Sequence, residues 1–307
     1  MADLGVSLAG VQLKNPLILA SGIAGVSVGT LERAAKSGAG AVTLKSFGEK
    51  PRAGHPNPTV LPWECGVINA VGLSNPGVDA GVQEVHEAIA KLKVPVIASL
   101  FSDSPEGFGR MAAKLAEAKP AFLEANLSCP NVMAEHGVPF AYEPEPARQA
   151  VKAVKDAIGD AVPLIAKLSP NTHRLKEVAS AVESAGADVI NMGNTLGPGM
   201  LISLEARRPV LHNKTGGISG PALRPVAVRC VWDVYETVKI PIIGTGGVAY
   251  GRDALEMVMA GATAVGVGTA VGTRGFGVFR KIAAEMQGWM DANGTSSVKE
   301  LVGVAHG

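Results

Sequence analysis

The chain has 307 residues, of which 47% are apolar, 18% charged and only 4% aromatic, a composition that supports a large aliphatic core and excludes a disordered polypeptide. Lys plus Arg (28) nearly balances Asp plus Glu (27) with no long basic run, so nothing provides a nucleic-acid footprint and a small molecule is the better partner. Apolar stretches stay shorter than a membrane span, and the start Met1-Ala2-Asp3-Leu4 lacks the pattern of a signal peptide, so a cytoplasmic protein is expected.

In chain order, eight short apolar runs read as strands: Asn15–Ala20, Ala41–Lys45, Val94–Leu100, Ala121–Ser128, Val162–Ser169, Asp188–Asn194, Ile240–Gly247 and Thr263–Thr269. Helical patterns follow them at Thr30–Ser37, Val82–Leu92, Gly107–Ala118, Ala147–Ile158, Leu175–Ala185, Ala222–Val238, Arg252–Ala260 and Val278–Ala292. Regular β-then-α alternation implies a parallel sheet with right-handed crossovers. Eight such units predict a TIM (β/α)8 barrel occupying residues 1–307 as one domain. The turn after the first strand, Ser21-Gly22-Ile23-Ala24-Gly25, has no dinucleotide-binding G-x-G-x-x-G register, which argues against a doubly wound sheet. Two Gly/Pro-rich insertions, Ser46–Pro76 and Leu196–Gly220, follow strands two and six. They therefore lie at the C-terminal face, where they read as walls or lids of an active site.

Several residues at that face suit chemistry. Gly244-Thr245-Gly246-Gly247 and Gly266-Val267-Gly268-Thr269 end the last two strands, where bare backbone N–H groups and a following helix start suit a phosphate. Lys45 closes strand two and Lys167 lies in strand five. Each reads either as half of a structural ion pair or as a functional cation, and an electron-rich ring or a substrate carboxylate would offset its desolvation. Asn69, Asn126, Asn131, Asn171 and Asn194 place carboxamides that donate and accept near the same face. Cys129, in Asn126-Leu127-Ser128-Cys129-Pro130-Asn131, puts a thiol just past strand four. A free thiol titrates at roughly 8.5 and is a plausible base for an acidic C–H bond once water is excluded. Cys65 and Cys230 read as small buried hydrophobes. No cysteine or histidine spacing indicates a metal site.

Taken together, Lys45-Ser46, Asn69 to Gly77, Asn126 to Asn131, Lys167 to Asn171, Asn194-Thr195, Gly217 to Gly220, Gly246-Gly247 and Gly268-Thr269 resemble class 1 dihydroorotate dehydrogenases along nearly the whole chain. The resemblance implies FMN-dependent oxidation of dihydroorotate to orotate in pyrimidine synthesis, with Cys129 as base. Catalytic roles fall to Cys129, Lys45 and Lys167. Orotate would be held by Lys45, Asn69, Gly72, Leu73, Asn126, Asn194 and Thr195. FMN would be held by Ser21, Lys45, Ser46, Asn126, Lys167, Gly193, Gly220, Gly246, Gly247, Gly268 and Thr269.

Class 2 relatives, with serine as base and an added membrane-docking segment, are less similar. The N-A-x-G-L-x-N-P-G block and the G-G-I-S-G-P-A-L-R-P run look most like the 1B subclass. That subclass implies a partner subunit carrying FAD and a [2Fe–2S] cluster, NAD as final acceptor, and a homodimer or heterotetramer. A fumarate-using 1A enzyme and a flavin barrel acting on another dihydropyrimidine are the alternatives. Gly193 stands where a bulkier aliphatic residue is common, and Ser203 where aspartate is frequent.

Overall fold

A computed structural model describes residues 1–23, 27–128 and 139–307. Among these, eight parallel strands close into a barrel: β1 (Leu17–Leu19), β2 (Ala41–Thr43), β3 (Val96–Leu100), β4 (Phe122–Asn126), β5 (Leu164–Leu168), β6 (Val189–Met192), β7 (Ile242–Thr245) and β8 (Ala264–Val267). Each coincides with a run expected from the sequence. Between and after them lie α1 (Val28–Lys36), α2 (Val78–Lys91), α3 (Pro105–Ala116), α4 (Pro144–Ile158), α5 (Leu175–Ser184), α6 (Arg224–Tyr235), α7 (Gly251–Met259) and α8 (Val278–Ala292).

Most helices bury a stripe at the 3.6-residue period, as in α4, where Ala147, Ala150, Val151, Val154 and Ile158 are buried. The first four helices start two to four residues earlier than hydrophobicity alone suggests, and at α1 and α3 a capping serine, Ser27 or Ser104, marks that earlier start. Ser104 accepts a hydrogen bond from the Gly107 amide at 3.2 Å and Pro105 follows it, pre-set for the first turn of α3. Ser104→Ala should cost about 1 kcal/mol of stability, read from the midpoint of urea unfolding.

The barrel interior changes character along its axis. Ile97, Phe122, Ile165 and Ile243 each precede an inward polar residue by two positions and so share its inward face, the bulky filling usual for this architecture. Toward the strands' C-terminal ends the inward positions are instead Ser99, Glu124, Lys167, Asn191 and Thr245, all but Thr245 at least nine-tenths buried. That a hydrogen bond joins Glu124 on β4 to Asn191 on β6, which are not neighbouring strands, requires these side chains to meet inside the barrel.

Three features were not legible beforehand. A hairpin of Val6–Leu8 and Val11–Leu13 precedes β1 and buries Val6, Leu8 and Leu13 in the core. A short helix, Ala270–Arg274, separates β8 from α8. The two long insertions are not loose walls but share one antiparallel sheet, ordered Leu196–Gly199, Gly216–Ser219, Gly66–Asn69, Val60–Trp63. The expectation for Cys65 was wrong. It is exposed, because it occupies the two-residue turn between Val60–Trp63 and Gly66–Asn69, where no core lies beneath it. Cys230 is buried in α6 as expected, and burial pushes its thiol up to about 11. Among the described residues no helix is long and apolar enough to cross a membrane.

Candidate active site

Residues from six strand ends and both insertions converge at the C-terminal mouth. Ser46, buried just past β2, lies 2.8 Å from the Ser99 hydroxyl, accepts from the Asn126 amide at 3.3 Å and lies 3.4 Å from the Ser21 hydroxyl. Ser21 itself donates to the Leu44 carbonyl at 2.9 Å. Asn126, the last residue of β4, has its side-chain carbonyl satisfied by the Ser128 hydroxyl at 2.8 Å, and Ser128 in turn accepts from the Asn194 amide. Ser21, Ser46, Asn126 and Asn194, far apart in the chain, are therefore joined by a continuous run of polar contacts through Ser128. Lys45 is half-buried beside Ser46 in sequence, and Lys167 is 6% exposed.

The sheet formed by the insertions carries the remaining candidates to the same place. Asn69 donates to the Gly217 carbonyl at 3.2 Å and pairs with Gly217 across the sheet. A β-carbon on Gly217 would fall 2.0 Å from the Thr195 hydroxyl, so Asn69 and Thr195 approach one another around that glycine. Asn171 anchors the second insertion, donating to the Thr195 carbonyl at 3.1 Å and accepting from the Gly197 amide at 3.0 Å. Its carboxamide is thus occupied in holding the loop. Gly72 and Leu73 follow in left-handed backbone, φ 75° and 59°. For leucine that conformation is strained, and the surrounding hairpin must enforce it.

The glycine-rich strand ends divide the work. Gly246 and Gly247 (φ 142° and 76°) leave no room for a β-carbon, which would lie 2.7 Å from Ala227 and 2.6 Å from Arg224 at the start of α6. Gly220 packs similarly on Gly66, and Thr269 donates to Ser219 at 2.9 Å, linking β8 to the cap sheet. Among the described residues, none of the backbone N–H groups of Gly246, Gly247, Gly268 and Thr269 donates to a backbone carbonyl. Gly193 (φ 147°) is required by close approach, since a β-carbon would meet the Thr245 carbonyl oxygen at 1.7 Å.

Cys129 and Asn131 fall within residues 129–138, outside the described residues. On either side, the Ser128 hydroxyl donates to Asn126 and the Tyr142 carbonyl accepts from the Thr172 hydroxyl at 2.9 Å, while burial pushes the Tyr142 phenol up. Sequence reasoning passed over Ser99, Glu124, Ser128, Asn191 and Tyr142. For the strand residues the available signal was period two: Glu124 precedes Asn126 by two positions and so shares its inward face. No cluster of three metal-ligating side chains occurs among the described residues. An apolar-lined groove of about 630 Å³ lies elsewhere, on the outer surface between α6, α7 and α8 around Trp232, Tyr250 and Trp289, away from this convergence of polar groups.

Comparison with known proteins agrees with the geometry. The family described as "Dihydroorotate dehydrogenase" matches residues 3–290. A protein of Methanothermobacter thermautotrophicus named "Dihydroorotate dehydrogenase B (NAD(+)), catalytic subunit" is 47% identical over 303 residues, covering 99% of this chain and 98% of the relative. Proteins of the same name from Pyrococcus abyssi and Desulforudis audaxviator are 45% and 44% identical, each over 98% of this chain and over 99% and 97% of the relative.

Proposed function

Because the chain belongs to the dihydroorotate dehydrogenase family, we propose that it oxidises dihydroorotate to orotate as an FMN-dependent catalytic subunit of pyrimidine synthesis, with NAD as final acceptor. The observation that carries this is the run of contacts Ser21, Ser46, Asn126, Ser128, Asn194 at the barrel mouth, flanked by Lys45 and Lys167. It joins the residues that the sequence assigned separately to cofactor and substrate.

The residues present fit a flavin mononucleotide. The N–H groups of Gly246, Gly247, Gly268 and Thr269, which donate to no backbone carbonyl among the described residues, suit its phosphate, and Gly193 and Gly220 would line it. Ser21, Ser46, Asn126, Lys45 and the buried ammonium of Lys167 would hold its ring. When bound, FMN supplies the acceptor for the hydride leaving C6 of dihydroorotate. The chain's own part is to orient and deprotonate. Asn69, Asn126, Asn194 and Thr195 hold the ring amides, Gly72 and Leu73 shape the wall, and Lys45 neutralises the carboxylate. Cys129, as its thiolate, takes the proton from C5 and becomes the thiol, and the cap sheet formed by the insertions excludes water so that the thiolate acts as an effective base.

The names of the relatives, B (NAD(+)) catalytic subunit, favour the NAD-linked subclass over a fumarate-using enzyme and imply a second subunit. In this reading the partner carries FAD and a [2Fe–2S] cluster, the assembly is a homodimer or heterotetramer in the cytoplasm, and residues 1–307 act as one FMN-binding domain. Anaerobic stopped-flow mixing with dihydroorotate should bleach the flavin rapidly, and neither NAD nor fumarate should reoxidise the reduced chain alone. Reoxidation by fumarate would move the protein to the self-sufficient subclass, and absence of bleaching would remove dihydroorotate as substrate. Turnover of dihydrouracil in its place would identify a different dihydropyrimidine enzyme.

A further inference from the structure

We propose that Glu124 is a positioning residue which, acting through Lys167, moderates the positive charge presented to the flavin and so sets its reduction potential. This rests on the reading of Lys167 as a flavin-side cation and goes beyond it, because Glu124 belongs to neither the cofactor nor the substrate set. A carboxylate that is 1% exposed inside a closed barrel is costly unless its charge and lone pairs are engaged. Here both oxygens are. One accepts from the Ser99 hydroxyl at 2.9 Å and lies 3.9 Å from the Lys167 ammonium; the other accepts from the Asn191 amide at 2.8 Å.

The direction of the hydrogen bonds strengthens the case. Ser99 spends its proton on Glu124, so its 2.8 Å contact with Ser46 requires Ser46 to donate. Ser46, having given its proton downward, accepts from the Asn126 amide, whose carbonyl therefore faces Ser128. Opposite, Thr245 donates to Asn191 at 2.8 Å and Asn191 donates to Glu124. Two chains of donors from the barrel mouth thus end on one carboxylate. An ionised acceptor at that point fixes the orientation of every group above it and holds the Lys167 ammonium at the top of the barrel. The carboxylate 3.9 Å away draws the ammonium back from the ring, so Lys167 attracts a reduced, more electron-rich ring less strongly than an unrestrained ammonium would.

The test uses the flavin-loaded full chain and reads midpoint potential and flavin dissociation constant rather than turnover. Glu124→Gln keeps the shape and removes the charge. The reduced-to-oxidised ratio at fixed potential should rise about tenfold, about 30 mV for a two-electron couple. Glu124→Asp moves the carboxylate back by one methylene and should shift the ratio in the same direction by about threefold. It decides the question if the glutamine variant fails to load flavin, because an unchanged potential in Glu124→Asp would then overturn the proposal. In a Lys167→Met background the Glu124→Gln shift should vanish. Persistence of the full shift there would show that Glu124 does not act through Lys167 and would overturn the proposal. If Lys167→Met moves the potential while Glu124→Gln does not, Glu124 is structural and the flavin-side role of Lys167 stands. If Lys167→Met moves neither potential nor flavin affinity, both fail together.

Discussion

Cys129→Ala should load flavin and bind orotate normally while the rate of flavin bleaching by dihydroorotate falls by roughly 10²- to 10⁴-fold, the usual contribution of a positioned base. The flavin and orotate contacts proposed above come from other residues, and Ser128, the neighbour of Cys129, is anchored independently by Asn126 and Asn194. Removing the thiol therefore leaves those contacts in place. Cys129→Ser should retain a remnant of activity that grows with pH, because a hydroxyl is a far weaker acid than a thiol of pKa roughly 8.5 and yields its reactive anion only as pH rises. Stopped-flow bleaching with a parallel orotate titration separates these outcomes. A wild-type bleaching rate in the alanine variant would remove Cys129 from the mechanism.

The second large effect is on the scaffold. Gly193→Ala should destabilise the protein by about 3 kcal/mol or more, lowering the melting temperature by roughly 6 °C, with loss of bound flavin. The cause is double. The backbone at φ 147° disfavours any side chain, and the added carbon would sit 1.7 Å from the Thr245 carbonyl oxygen, so β6 and β7 must separate at their C-terminal ends. Asn194 follows directly and donates to Ser128, so the disturbance passes straight into the site. Differential scanning calorimetry together with flavin content checks this. A melting temperature within a degree of the parent would mean that the close approach is not a feature of the folded protein.

Legibility followed the range of the interaction. Each barrel strand was readable as a β-branched or small apolar run because, in a closed parallel barrel with helices outside, both faces of a strand are buried and polar residues enter only toward the C-terminal ends. The flanking helices were readable from their buried stripes. Helix starts were the weakest element, since Ser27 and Ser104 act through one local hydrogen bond that hydrophobic periodicity does not register. The insertions were correctly placed at the C-terminal ends of strands two and six, but their pairing was not visible. Gly66–Asn69 and Gly216–Ser219 lie about half the chain apart, and at four residues each they are too short to show alternation.

By itself the sequence determined the alternation of strands and helices, hence the barrel, and the grouping of reactive residue types at the strand ends, because both depend on periodicity and local residue chemistry. Tertiary structure alone decided which of those residues act together. Ser46 reaches Asn126, and Asn126 reaches Asn194 through Ser128, only because barrel closure brings the ends of strands two, four and six to one mouth. It alone decided that Cys65 is exposed in a turn, that Asn171 holds a loop, and that Glu124 ends two chains of hydrogen bonds. For Asn171 and Glu124 the physical reason is the same: a polar side chain's role is set by the partners that offset its desolvation, and here those partners come from segments distant in sequence.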